Sequence, residues 1–321
     1  MPLLEVRDLE VEFPMRAGRL KALRGVGFSL DGGERLGIVG ESGAGKSMAA
    51  YAILNLITEP GRISAGEISF DGTRLDTLDD EEMRHIRGNR IAMIFQDPMM
   101  TLNPVLTVGT QMVECLHAHR KMPEAEARAL AIAKLREVAI PSPEQRFDAY
   151  PHELSGGLRQ RVVIAIALLL DPAIIIADEP TTALDVTIQA EIMGLMIELC
   201  DNHRVGLILI THDLAVVSDV TQRMLVMYAG RVVEAGPTAD VIDTPAHPYT
   251  IGLLHALPQK NEPGGMLNQI PGNMPSLAEV PTGCAFHPRC AHADARCKSE
   301  LPQLRMVKER RVACHHAEAL T

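Results

Sequence analysis

The chain has 321 residues, 46% of them hydrophobic and 22% charged, with a formal net charge of -10 and no tryptophan. That length suits a core domain of about 250 residues with an appendage, and the composition is that of a globular protein with ample material for a buried core. The acidic balance speaks against nucleic acid as the main partner, because phosphate backbones are held by dense basic surfaces; a nucleotide, which needs only a nest of amides and one or two cations, stays open.

Glu5, Arg7, Asp8, Glu10 and Glu12 break any apolar stretch at the start of the chain, so no secretion signal is expected. Leu4–Phe13, Ala22–Leu30 and Arg35–Val39 read as strands, followed by a glycine-rich turn and a helix from about Lys46. Glu67–Asp71 and Ile91–Phe95 are further strands. Residues 107–140 read as helical, with a break at Met122-Pro123 and a polar-faced helix over Glu124–Ala139. A helix follows Ser155, and an apolar strand covers Ala173–Ala177. The longest apolar run, Val162 to Ala177, is cut by Asp171-Pro172 and falls short of the roughly 20 residues a membrane span needs. Helix 187–203, strand 205–210, helix 213–219 and strand 222–228 complete an alternation that favours a mainly parallel sheet. Residues 258–283 hold Pro258, Pro263, Pro271, Pro275 and Pro281, the composition of an irregular, semi-rigid connector. Four of the six cysteines then fall within residues 284–314.

Gly40-Glu41-Ser42-Gly43-Ala44-Gly45-Lys46-Ser47 has the P-loop pattern and lies between a predicted strand and a predicted helix. Glycines let backbone N–H groups turn inward around phosphate oxygens, and the helix N-terminus adds its dipole. Lys46 is expected to reach the β- and γ-phosphates and Ser47 to offer its hydroxyl to Mg²⁺. A bare glycine-rich strand-to-helix turn is the plainer alternative.

Ile174-Ile175-Ile176-Ala177-Asp178-Glu179 is an apolar strand ending in two acids. Asp178 is placed to join the Mg²⁺ shell, and Glu179 to accept a proton from attacking water. Standing alone, the pair could equally be a solvated strand end. Gln96, after Ile91–Phe95, can touch Mg²⁺ or water, or simply open a loop. His212, just past strand 205–210, can contact a γ-phosphate or orient the water, or be no more than a neighbour of a helix cap.

Leu154-Ser155-Gly156-Gly157-Leu158-Arg159-Gln160-Arg161 resembles the ABC signature motif and precedes the Asp178-Glu179 strand by a short helix. Ser155 would cap that helix, and Gly156 and Gly157 leave room for an anion at its N-terminus. With the P-loop, Gln96, Asp178-Glu179, Thr182-Ala183-Leu184-Asp185 and His212 in the same order, residues 1–257 resemble an ABC nucleotide-binding domain. The fold this implies is an α/β P-loop NTPase, with a mainly parallel sheet core, an antiparallel β part and a helical subdomain at about 97–165. A small irregular extension over 258–321 follows.

The resemblance further implies that Phe13 stacks on adenine and that Gly40, Ser42, Gly43, Ala44, Gly45, Lys46 and Ser47 hold the phosphates. Ser47, Gln96 and Asp178 would hold Mg²⁺. Ser155, Gly156 and Gly157 would grip the γ-phosphate bound to a facing cassette, and Asp185 would lie in the loop crossing that interface. Leu158 stands where many signatures have Gln, a departure that bears only on the cross-interface contact.

Phe95-Gln96-Asp97-Pro98 with Leu102-Asn103-Pro104, Gly230 to Gly236, His247-Pro248-Tyr249-Thr250 and Ile270-Pro271-Gly272 resemble the D-type ATPase subunits of dipeptide and oligopeptide permeases. Nickel-importer ATPases share most of this pattern. Soluble ABC ATPases of DNA repair or translation carry a long coiled-coil insertion or tandem cassettes, which this chain lacks. The implied partners are a second, homologous ATPase subunit, two transmembrane permeases met by residues 96–104, and an extracytoplasmic substrate-binding protein. The implied location is the cytoplasmic face of a bacterial inner membrane.

Cys284, Cys290, Cys297 and Cys314 are spaced x5, x6 and x16. In a reducing compartment, four thiols so close suggest a metal rather than disulfides. The spacing matches neither the zinc knuckle nor the ferredoxin run, so Zn²⁺, an iron–sulfur cluster and free thiols all stay open. Resemblance to the D-type subunits implies a [4Fe-4S] cluster. His287, His292, His315 and His316 are candidate substitute ligands, with a surface role the plainer reading of each, and Cys115 and Cys200 read as core thiols.

Overall fold

The computed structural model describes residues 1–15, 18–97, 101–182, 184–257 and 269–320; Pro98, Ala183, Pro258 and Pro263 lie outside them. The chain forms two compact units, Met1–Asp31 with Arg35–Thr77 and Leu209–Thr321, and Gly32–Glu34 with Leu78–Ile208.

The first unit opens with β1 (Leu4–Met15), β2 (Gly18–Leu30), β3 (Arg35–Val39), β4 (Arg62–Phe70) and β5 (Thr73–Arg74). The second holds β6 (Ile91–Ile94) and β7 (Ile174–Asp178), and β8 (Gly206–Thr211) carries the chain across the boundary. The first unit then resumes with β9 (Arg223–Tyr228), β10 (Arg231–Pro237), β11 (Arg305–Val307) and β12 (Arg310–Val312).

In the first unit β2, β1, β4 and β5 make an antiparallel sheet. Leu4, Val6, Leu9 and Val11 of β1 are buried. One residue separates Leu4 from Val6 and Leu9 from Val11, but two separate Val6 from Leu9. A bulge there, with Asp8 at φ 45°, absorbs the extra residue and keeps both pairs on the core face. Gly66 on β4 meets the bulge at φ 92°, where an added Cβ would come within 2.5 Å of the Asp8 carbonyl. The second sheet of this unit runs β11, β12, β10, β9, β3, with β3 and β9 parallel and the rest antiparallel. Leu36, Ile38 and Val39 are all buried, the unbroken apolar run expected of a strand covered on both faces.

Beyond the proline-bearing connector, the C-terminal extension, expected to be irregular, carries a short hairpin of β11 and β12. β12 pairs with β10 through Glu234↔Val312 and Ala235↔Arg311 and so extends the sheet. Buried Arg310 stands 3.3 Å from buried Glu234 and donates to the Asp240 carbonyl and Thr244 Oγ1.

In the second unit β6 and β7 run parallel, with Ile91 opposite Ile174 and Ile94 opposite Ala177. The expected helices span Val108–His119 and Glu124–Glu137, separated at Met122-Pro123, and Gly156–Leu168 and Val186–His203 follow. Asp80–Ile86, unanticipated in the sequence, is closed by a reciprocal capping box between Asp79 and Glu82. Among the described residues no helix is long and apolar enough to cross a membrane.

Candidate nucleotide-binding site

In the first unit, Gly40 to Ser47 joins β3 to the helix Lys46–Ile53. Two glycines show why the loop needs them. Gly40 has φ 153°, and a Cβ there would lie 2.4 Å from the Met227 carbonyl oxygen; Gly45 has φ 102° and packs against Ala22 and Leu23. Gly43, at φ 84°, has no heavy atom within 4 Å of an added Cβ, so the loop's outer side is open. Lys46 is buried and its Nζ donates to the carbonyls of Gly40 (2.8 Å) and Glu41 (3.1 Å). The cation therefore sits across the loop that its own backbone encloses. Phe13, half-buried on β1, lays its ring against Gly61, where a Cβ would come within 2.4 Å of it. His212 is exposed after β8, beside Asp213, which caps the helix Leu214–Val220 by accepting from the N–H groups of Ala215 and Val216.

Glu41 has partners that sequence inspection missed. Its N–H donates to Tyr249 Oη at 2.8 Å, and its carboxylate takes a two-pronged ion pair from Arg289 at 2.7 and 3.0 Å. Tyr249 belongs to the helix Pro248–His255, which His247 caps by accepting the Tyr249 N–H at Nδ1. His247 is itself held by its N–H donating to Glu234. Full burial pushes the His247 imidazole down to about 3, and burial raises the Tyr249 phenol above its ordinary value.

In the second unit, β7 ends in buried Asp178 and half-buried Glu179. Glu179 takes φ 47°, a left-handed conformation that costs a non-glycine residue energy and that gathers at functional sites. Gln96 Nε2 and Thr182 Oγ1 both donate to Glu179 Oε2 at 3.0 Å. Gln96 and Glu179, picked out separately in the sequence, therefore meet. Thr182 was visible only as part of the stretch leading to Asp185.

Ser155 caps the helix Gly156–Leu168 by accepting the Leu158 N–H at 3.4 Å, and Ser155 and Gly156 are exposed. An added Cβ on Gly157 would lie 2.9 Å from Ile188 Cγ2, and one on Gly156 3.3 Å from Leu184, so both glycines permit close packing against the segment that follows β7. Asp185 caps Val186–His203 by accepting the Ile188 N–H at 2.9 Å and is exposed.

The four clustered cysteines of the first unit line one cavity, together with His247, Phe286, His287, His315 and His316. His292 is not among its walls. Burial raises all four thiols, and Cys314, also facing the other three, reaches about 11. Binding a metal here would therefore have to displace protons. Among the described residues no three of these sulfurs lie within 4.8 Å of one another; the set that does is Asp294, Cys297 and His316. A single zinc with bonds of ~2.3 Å would draw four sulfurs to about 3.8 Å apart. Cys200 is buried in its helix, and burial raises the Cys115 thiol.

The family model described as "ABC transporter" matches residues 23–182, and that described as "Oligopeptide/dipeptide transporter, C-terminal region" matches residues 233–297. The chain is similar to the dipeptide transport ATP-binding protein DppD of Haemophilus influenzae, at 47% identity over 98% of this chain and 96% of that protein. It is 48% identical to the oligopeptide transport ATP-binding protein OppD of Escherichia coli over 97% of this chain and 92% of that protein. Among solved structures, a dimeric post-hydrolysis state of the ATP-binding cassette MJ0796 bound to ADP and Pi covers 73% of this chain and 98% of its own. Its TM-score is 0.65 and its identity 30%.

Proposed function

The chain belongs to the ABC transporter ATP-binding proteins of the dipeptide and oligopeptide type, and from that premise we propose that it binds and hydrolyses ATP to drive peptide import. Residues 1–257 act as the cassette and 258–321 as its extension. Phe13 stacks on adenine. The amides of Gly40 to Ser47 and the Lys46 ammonium hold the phosphates. Ser47, Gln96 and Asp178 hold Mg²⁺, which when bound neutralises charge on the phosphate oxygens.

Glu179 orients the attacking water and accepts its proton, while Gln96 and Thr182 fix the carboxylate and His212 contacts the γ-phosphate. Ser155, Gly156 and Gly157 complete the triphosphate site of a facing, homologous cassette, and Asp185 lies in the loop crossing between the two. ATP closes the pair and hydrolysis reopens it. Residues 96–104 pass that motion to two transmembrane permeases on the cytoplasmic side of the membrane, with a substrate-binding protein delivering peptide from the other side.

The observation that carries the catalytic reading is the left-handed Glu179 at the end of a buried strand, its carboxylate held by Gln96 and Thr182. Its test is E179Q: steady-state hydrolysis should be lost while MgATP binding persists, and undiminished turnover would remove Glu179 from this role.

Cys284, Cys290, Cys297 and Cys314 would hold a [4Fe-4S] cluster, which when bound ties three separate stretches of the C-terminal segment together. This reading rests on the four thiols that line one cavity. Anaerobic purification followed by iron and sulfide assay tests it: about four of each per chain is expected, and zinc or no metal would contradict it.

A further inference from the structure

A carboxylate inside a phosphate-binding loop works against the loop's task, because an approaching triphosphate meets a negative charge there. Glu41 is such a carboxylate, and every polar group it has is occupied. Its N–H donates to Tyr249 Oη, and its carbonyl accepts from Lys46 Nζ and from the Ala44 N–H at 3.2 Å. Its carboxylate is paired with both arms of the Arg289 guanidinium.

Arg289 comes from 248 residues further along the chain and is itself firmly seated. Its side chain is 5% exposed. Its guanidinium donates to the carbonyls of Pro271 at 2.9 Å and Ile270 at 3.4 Å and lies 5.8 and 5.9 Å from the Phe286 and Tyr228 ring centres. The short turn His287–Arg289 that presents it lies between Cys284 and Cys290, with the His287 N–H donating to the Cys284 carbonyl and the Cys290 N–H to the His287 carbonyl.

We propose that Arg289 is a positioning residue of the nucleotide site: supplied by the cysteine-bearing segment, it neutralises and pins Glu41 so that the phosphate loop can accept a triphosphate. The fork of the guanidinium matches the carboxylate at two points, which fixes direction as well as charge. The C-terminal segment thereby becomes part of the ATP site without touching ATP. This assignment rests on the nucleotide reading above and deepens it.

The test is a double-mutant cycle on the full-length chain, with MgATP affinity read by displacement of a fluorescent ATP analogue and folding checked by circular dichroism. R289A is expected to weaken binding about tenfold, or ~1.4 kcal/mol. Measured in an E41Q background, the same substitution should change affinity less than about threefold, because the charge it would expose is gone. In the assembled transporter R289A should raise KM for ATP and leave kcat at saturating ATP within about twofold.

Unchanged affinity in R289A overturns the proposal, and so does an equal loss in both backgrounds, which would mean that Arg289 serves only the fold. Should R289A not fold, R289Q, which keeps a donor for the Ile270 and Pro271 carbonyls, carries the same expectations through the same cycle. K46A separates the two levels. Wild-type binding by K46A sinks the nucleotide reading itself, whereas loss in K46A with none in R289A sinks only the Arg289 assignment.

Discussion

The phosphate loop and the signature tip are both glycine-rich helix starts, yet they are finished differently. The loop is completed from within its own unit: Lys46 spans two of its carbonyls, and Glu41 is held by Tyr249 and Arg289. The tip has one side-chain cap, Ser155 to the Leu158 N–H, and stands exposed. A loop whose Glu41 and Lys46 are already held in place is pre-organised to bind alone. An exposed tip with a single side-chain cap is suited to completing a site on another molecule. The lesson is that two similar motifs differ in which assembly state reveals their role.

Substitutions can break that contrast, and the largest effect belongs to neither element. E179Q should lower steady-state hydrolysis by about 10²–10⁴-fold without loss of MgATP affinity, measured as phosphate release by the assembled transporter. K46A comes next: removing charge-assisted hydrogen bonds should weaken MgATP binding about 10- to 100-fold in the isolated chain. S155A should act only in company. It should slow hydrolysis by the assembled transporter about tenfold while the isolated chain binds MgATP normally, and it should lower stability by ~1 kcal/mol through the lost cap. An S155A defect in nucleotide binding by the lone chain would erase the contrast.

A further effect concerns the loop's support. The unfolded chain protonates His247 near pH 6.5, whereas the folded chain keeps it neutral down to about 3. Between those values the unfolded state binds more protons. The contribution of His247 to stability is therefore full above pH 6.5 and falls by about 1.4 kcal/mol per pH unit as pH drops. Burial raises nearby Glu234, which acts in the opposite sense. The informative quantity is thus the difference in slope between wild type and H247N, followed by urea denaturation. Equal slopes would show that the imidazole is not held neutral.

How much of this was legible in the sequence depends on how local each feature is. The phosphate loop, the Asp178-Glu179 strand end and the Ser155 cap are short patterns whose chemistry is set by adjacent residues, and the fold places them on the expected strands and helices. Gln96 and Glu179 were each visible, but their contact joins positions 83 residues apart. The Arg289–Glu41 pair left no mark at all, since an arginine beside a cysteine reads as a surface charge until the chain folds back. The hairpin of β11 and β12 was missed for another reason: three-residue strands are too short to show a period of two. The His247-Pro248-Tyr249-Thr250 stretch was legible as a family mark. Its physical purpose, a helix cap that aims a phenol at the phosphate loop, needed coordinates.

The most direct test of the central claim is a structure of the assembled transporter carrying E179Q with MgATP bound. The account predicts a triphosphate held by Lys46 and Ser47 in this chain, and this chain's Ser155–Gly157 tip against the γ-phosphate of the nucleotide in the facing cassette. A tip left in solvent, remote from any nucleotide, would contradict it.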